Sequence, residues 1–206
     1  MAGFAAVATA AKSIERLLTT CFDADGIDEL RPVPGKTTTA RLVRTEDLVK
    51  HANGQLSFPR PALTIFTYRL DFNKSVRAAW AGAGTLDGRG HVPLDLHFLL
   101  TPWADNSEHE HRILGKAIEC LESTPLLSGP LLVTDPATAW AANEVVQVVM
   151  EEVATEAVMR TFDTLPTDYK VSVPYIARVI RVDARRAFPD PTATEVVRGL
   201  RPAGGA

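Results

Sequence analysis

Apolar residues recur along this chain with two different periods, and the changes of period divide it into elements. Phe4, Val7, Ala11, Ile14 and Leu18 fall at helical spacing, which predicts an amphipathic helix of about four turns ending near Thr20. "ALTIFTYRLDF" from Ala62 is rich in β-branched and aromatic residues. "HVPLDLHFLLT" from His91 alternates so that Leu94, Leu96, Phe98 and Leu100 share one side, and both segments read as strands. Between them, "NKSVRAAWAGAGTLDGRG" carries glycines and an Asp87-Gly88 turn signal, so the pair is expected to be antiparallel with a wide connection.

The remaining segments follow the same logic. Ser107 precedes Glu110 by three residues, the spacing of a capping box, and Ile113, Leu114, Ala117, Ile118 and Leu121 form the apolar stripe of the helix behind it, which Pro125 ends. "NEVVQVVMEEV" predicts a third strand and "TEAVMRTFDTL" a short helix. "YKVSVPYIARVIRVD" predicts a long last strand with Val171, Val173, Tyr175, Ala177 and Val179 on one side. The proline-bracketed stretch over 31–61 has no sustained period and reads mostly as loop. The expected fold is α+β, a mainly antiparallel sheet of about four strands packed with two to three helices. One domain over 1–183 carries it, and 184–206 form a peripheral C-terminal tail.

Composition narrows the class. With 206 residues, 46% hydrophobic, the chain is long enough to bury a core without disulfide staples. Its two cysteines, Cys21 and Cys120, are too few and too far apart to suggest a framework, so they read as reduced core thiols of a cytoplasmic protein. No basic residue precedes the apolar N-terminal stretch, and Lys12, Glu15 and Arg16 interrupt it, which argues against an export signal. No run of about 18 apolar residues offers a membrane span. The net charge of −3 argues against general nucleic-acid binding, but seven basic and three acidic residues from Lys170 onward make that end +4 and leave −7 for the rest.

Three stretches invite a chemical reading. The first holds His97, His109, Glu110 and His111 within a short reach of chain, as a metal- or ligand-binding enzyme would require. On a helix, however, His109 and His111 point about 200° apart, so they do not ligate one ion from a common face. "PGKTTT" at Pro34–Thr39 resembles the end of a phosphate-binding loop, yet Leu30 stands where its first glycine belongs and Pro34 removes an N–H. "DADGID" at Asp23–Asp28 lacks the alternating ligands and closing glutamate of a calcium loop. No serine elbow, Cys-X-X-Cys pair or dinucleotide glycine fingerprint occurs.

As a whole, the strand "PLDLHFLLTPWA", the helix "HRILGKAIECLESTPLL" and the late strand "YKVSVPYIARVIRVD" resemble the tail-terminator or cap proteins of extracellular contractile injection systems, which are phage-tail-like particles. The matching places are Leu94 to Leu100, with Phe98 for the family's tyrosine, then Leu114, Gly115 and Ala117, then Pro125 to Leu127, and last Tyr175 to Val182. The resemblance spans Phe4 to Asp183 and departs before residue 62 and over 143–165. It implies a non-enzymatic assembly protein without cofactor or metal. A hexameric ring of this kind sits on the last layer of the inner tube protein, stops tube growth and ties down the sheath protein, within a particle assembled in the cytoplasm. Asp95 and His97 then become surface or interface residues. Arg181, Arg185 and Arg186, at and past the last strand, are the candidates to face an acidic partner patch.

Overall fold

Strand β3 (Arg89–Trp103) is the spine of the molecule, because it pairs along both edges. The computed structural model describes residues 3–23, 27–49, 56–77, 89–137 and 140–187. On one side β3 runs antiparallel to β2 (Ala62–Phe72), and on the other to β6 (Val173–Ala187). β6 pairs antiparallel with β5 (Val145–Met150), which pairs with the short β4 (Leu126–Ser128). The antiparallel β2–β3 pair, the long final strand and the strand in "NEVVQVVMEEV" follow the sequence reading. The Asp87-Gly88 turn lies outside the described residues.

The sheet is larger than expected: six strands in the order β1-β2-β3-β6-β5-β4, against about four. The addition at one edge is β1 (Thr39–Val43), which lies in the stretch read as loop and pairs parallel to β2, making the sheet mixed. At the other edge the addition is β4. Both are too short to show a period of their own; tertiary pairing with a long neighbour makes them strands.

Among the described residues four α-helices accompany the sheet: α1 (Ala6–Asp23), the single turn α2 (Lys74–Arg77), α3 (Ser107–Ser123) and α4 (Thr155–Asp163). α1 and α3 cover one face. Ile14, Leu18 and Phe22 meet Ile113, Ala117 and Leu121 there, over Leu96, Phe98 and Leu100 of β3 and Tyr175 and Ala177 of β6. Phe4 does not join this stripe; it precedes the helix and is 74% exposed, and Phe22, two residues past the expected end, joins the core. Two hydroxyls sit in the buried face of α1 because each is bonded: Thr9 Oγ1 donates to the Ala5 and Ala6 carbonyls, and Ser13 Oγ donates to Thr9 O while accepting from Val133 N at 2.8 Å.

Helix α3 starts by a different device from the one its sequence suggests. The cap is Asn106, whose Oδ1 accepts from His109 N at 2.8 Å, rather than Ser107. Glu110, the expected capping-box partner, instead accepts from Lys170 Nζ at 2.6 Å, tying the helix start to the segment before β6. α4 packs on the opposite face of the sheet, where Val158 and Phe162 cover Leu99.

Three register shifts interrupt the long strands, at Thr67/Arg69, Leu94/Leu96 and Arg89/His91, and the first two bear on the core. Thr67 opposes Phe98 and Arg69 opposes His97, so Tyr68 is an extra residue in β2. Ile180 opposes Leu94 while Ala177 opposes Leu96, so β6 carries one residue more than β3 between those pairs. The second bulge overturns part of the predicted alternation. Ile180, not Val179, returns to the core after Tyr175 and Ala177, and Val171 lies before the strand and exposed. β6 continues to Ala187, past Asp183, and the remainder of the C-terminal tail lies outside the described residues.

Cys21 and Cys120 are not separate thiols. Packing α1 against α3 brings their Cα atoms to 6.3 Å, and the sulfurs are joined in a disulfide. Sequence spacing carried no sign of this, because 99 residues and three strands separate the two helical positions.

Candidate assembly interface

A sheet of this kind offers a partner its two edges and its uncovered surface, and the three differ here. At the β1 edge, α1 side chains occupy the backbone groups that a further strand would use. Thr19 Oγ1 accepts from Ala40 N at 3.1 Å, and Glu15 Oε1 accepts from Leu42 N at 2.8 Å. That edge is blunted by a helix, a common protection against unintended strand pairing. The β4 edge is short and apolar: Leu126 is 52% exposed, and Val145 of the neighbouring strand and Leu131 just beyond β4 are also exposed. Beside it, on the face away from α1 and α3, runs an open groove of about 650 Å³ lined by Val76, Leu126, Trp140, Gln147, Arg178 and Arg181, among others.

Of the three arginines expected to face a partner, Arg181 is engaged within its own chain. Its Nη2 lies 3.0 Å from Glu144 Oε1 and its Nε 2.8 Å from Asp183 Oδ1, with the side chain 28% exposed. His91 Nδ1 approaches the same Asp183 oxygen at 2.7 Å. Arg185 and Arg186 continue the backbone of β6, and their side chains lie outside the described residues.

The histidine-rich stretch does not come together as a site. His97 projects from the β3 face opposite α3, whereas His109 and His111 stand on the first turns of α3, the former half-buried against Asn106 and the latter exposed. Glu110 is held by Lys170. Among the described residues no group of three His, Cys, Asp or Glu side chains is placed to hold a metal ion. The phosphate-loop reading fails on geometry as well: Gly35 adopts φ +70° in a turn, and its N–H already donates to the Asp28 carboxylate at 2.8 Å.

His97 is not the surface residue its alternation suggested; it is 4% exposed. The Tyr68 bulge brings the next two β2 side chains onto it. Tyr68 Oη donates to Glu151 Oε2 at 2.9 Å, His97 Nδ1 lies 2.8 Å from the same oxygen, and Arg69 Nη2 lies 3.1 Å from His97 Nε2. The Arg69 Nη2 also lies 3.3 Å from Nδ1, so the guanidinium spans both ring nitrogens while the Glu151 carboxylate faces Nδ1. Arg69 Nε also pairs with Asp71 at 2.9 Å. Burial, and then the Glu151 carboxylate, push the Tyr68 phenol up to about 12. The network holds β2, β3 and the end of β5 together.

The fold has counterparts among solved structures. It is similar to the PVC sheath/tube terminator of an extracellular contractile injection system in its extended state, with a TM-score of 0.53 at 15% identity over 94% of this chain and 65% of that one. It also matches the anti-feeding prophage cap, the AFP tube terminating cap, with a TM-score of 0.47 at 13% identity over 83% of this chain and 54% of that one. The chain thus spans less than two thirds of the length of either relative. No curated protein matches it. Residues 12–195 match the Pvc16 N-terminal domain, and the chain belongs to that family. No helix among the described residues is long and apolar enough to cross a membrane.

Proposed function

We propose that this protein is the cap of a contractile injection particle: a hexameric ring that sits on the far end of the inner tube, stops its growth and anchors the end of the sheath. The observation that carries this reading is the family match over residues 12–195. The physical need is plain. A tube of stacked rings presents the same open face after every layer, so growth ends only when something binds that face and offers the next layer no equivalent surface.

The two sheet edges suit a ring. A closed ring of identical subunits is built from one heterologous contact repeated by rotation, so the two joined surfaces must differ. The β4 edge, with Leu126 and Val145 exposed, supplies an apolar surface, while α1 blunts β1 against uncontrolled strand addition. Tube and sheath contacts fall to other surfaces, and the basic residues Arg185 and Arg186 are the candidates to meet an acidic partner patch, whereas Arg181 is engaged within its own chain.

Electron microscopy of particles from a strain lacking the gene tests the proposal. The expected result is tubes of uneven length, with sheath loose or missing at one end and a normal baseplate end. Capped particles of uniform length that still contract would overturn it.

A further inference from the structure

Cys120 lies in the main core beside Ala117 and Leu121 and is 3% exposed, whereas Cys21 is half-buried at the margin of that core. Their Cα separation of 6.3 Å is one that a disulfide spans without backbone movement. Cys21 is therefore the more accessible of the two residues, with Cys120 behind it in the core. The bond links the first helix to the third across 99 residues, a long closure of the kind that most restricts the unfolded chain. Thr19 lies two residues before Cys21, and with Glu15 it caps the β1 edge.

We propose that Cys21 and Cys120 are a redox-operated staple: two thiols while the chain is in a reducing compartment, and a disulfide that locks α1 onto α3 once it meets a low-molecular-weight disulfide. The chemistry is two exchanges. The Cys21 thiolate attacks one sulfur of the small disulfide, forming a mixed disulfide and releasing one small thiolate. The Cys120 thiolate then attacks the Cys21 sulfur, forming the protein disulfide and releasing the second. The two protein thiol protons end on the two released thiols, so the protein is oxidised by two electrons and the small disulfide is reduced by two. Locking α1 fixes Glu15 and Thr19 against β1, so oxidation sets how firmly that edge is closed. An oxidising exterior would act on a subunit in just this way, whereas a reducing cytoplasm would leave it open.

The test uses the full chain equilibrated with reduced or with oxidised glutathione. The expected results in the oxidised sample are an intact mass lower by two hydrogens and a Cys21–Cys120 cross-linked peptide. The thermal midpoint should be higher by about 5–15 °C. The Ala40 and Leu42 amides should exchange with deuterium more slowly than in the reduced sample. Wild type reduced in place is the reference, so the comparison does not depend on the Cys21→Ala/Cys120→Ala variant folding. A chain that stays dithiol, or that stops at a glutathione adduct on Cys21, would overturn the proposal. So would one that closes the bond with no change in midpoint or exchange.

Discussion

Glu15 Oε1 accepts a hydrogen bond from the Leu42 backbone N–H at 2.8 Å, so a helix side chain stands where the next strand of the sheet would pair. Thr19 does the same one repeat earlier at Ala40, both accepting from its N–H and facing its carbonyl. Replacing both, as Glu15→Ala/Thr19→Ala, strands two amides at a sheet edge and opens it to other chains. The expected cost is about 1–2 kcal/mol in urea unfolding. Sedimentation velocity should show concentration-dependent association beyond that of the wild type. A monodisperse variant of unchanged stability would remove the edge-blocking role from these two residues.

The Tyr68–Glu151 contact predicts a pH dependence. The ordinary phenol ionises near 10, and burial followed by the carboxylate raises Tyr68 to about 12. Between those values the unfolded chain loses a proton that the folded one keeps. The stabilisation is therefore fully present below pH 10 and is lost as pH rises through 12. Ultraviolet difference titration of wild type against Tyr68→Phe should isolate the late ionisation. In Glu151→Gln it should move partway down, because burial, the larger cause, remains. A Tyr68 that titrates at its ordinary value in both backgrounds would contradict the geometry.

Most of this architecture was legible in the sequence because α1, β3 and α3 repeat core residues at a fixed period, while β2 and β6 are long runs rich in β-branched and aromatic residues. What stayed hidden depends on contacts between distant segments. β1 and β4 are strands only because β2 and β5 lie beside them. The β6 bulge shifts the buried place from Val179 to Ile180, an irregularity that no alternation rule anticipates. Asn106 rather than Ser107 caps α3, and Glu110 pairs with Lys170, 60 residues on, a contact that local spacing does not record. The cysteine bond and the burial of His97 under Glu151 belong to the same class. The residues carrying the family likeness were visible because they build the core, whereas the residues that touch other subunits follow surface shape, which periodicity does not record.

His109 and His111 supply a control on the enzymatic reading. With their side chains on separate sides of the first turns of α3 and Glu110 committed to Lys170, His109→Ala/His111→Ala should shift unfolding free energy by no more than about 0.5 kcal/mol. Metal analysis of dialysed wild-type protein should find no stoichiometric ion. Zinc or nickel that survives dialysis and disappears in the variant would revive a metal site.

The basic end can be divided by experiment into a part that holds the fold and a part that meets a partner. Arg181 sits between Glu144 and Asp183, whose side chains are 10% and 3% exposed, so Arg181→Ala leaves Glu144 without its cation and Asp183 with only the His91 contact. The expected loss is about 3 kcal/mol of stability, seen as a lower urea midpoint in the isolated protein. Arg185 and Arg186 stand further along β6, and reversing them, as Arg185→Glu/Arg186→Glu, should leave that midpoint within about 0.5 kcal/mol. Their contribution should instead appear in the particle, as reduced incorporation of the cap that worsens at low salt, where like charges repel over a longer range. Normal incorporation of the double reversal at low salt would assign those arginines to solvent and move the tube or sheath contact to another face.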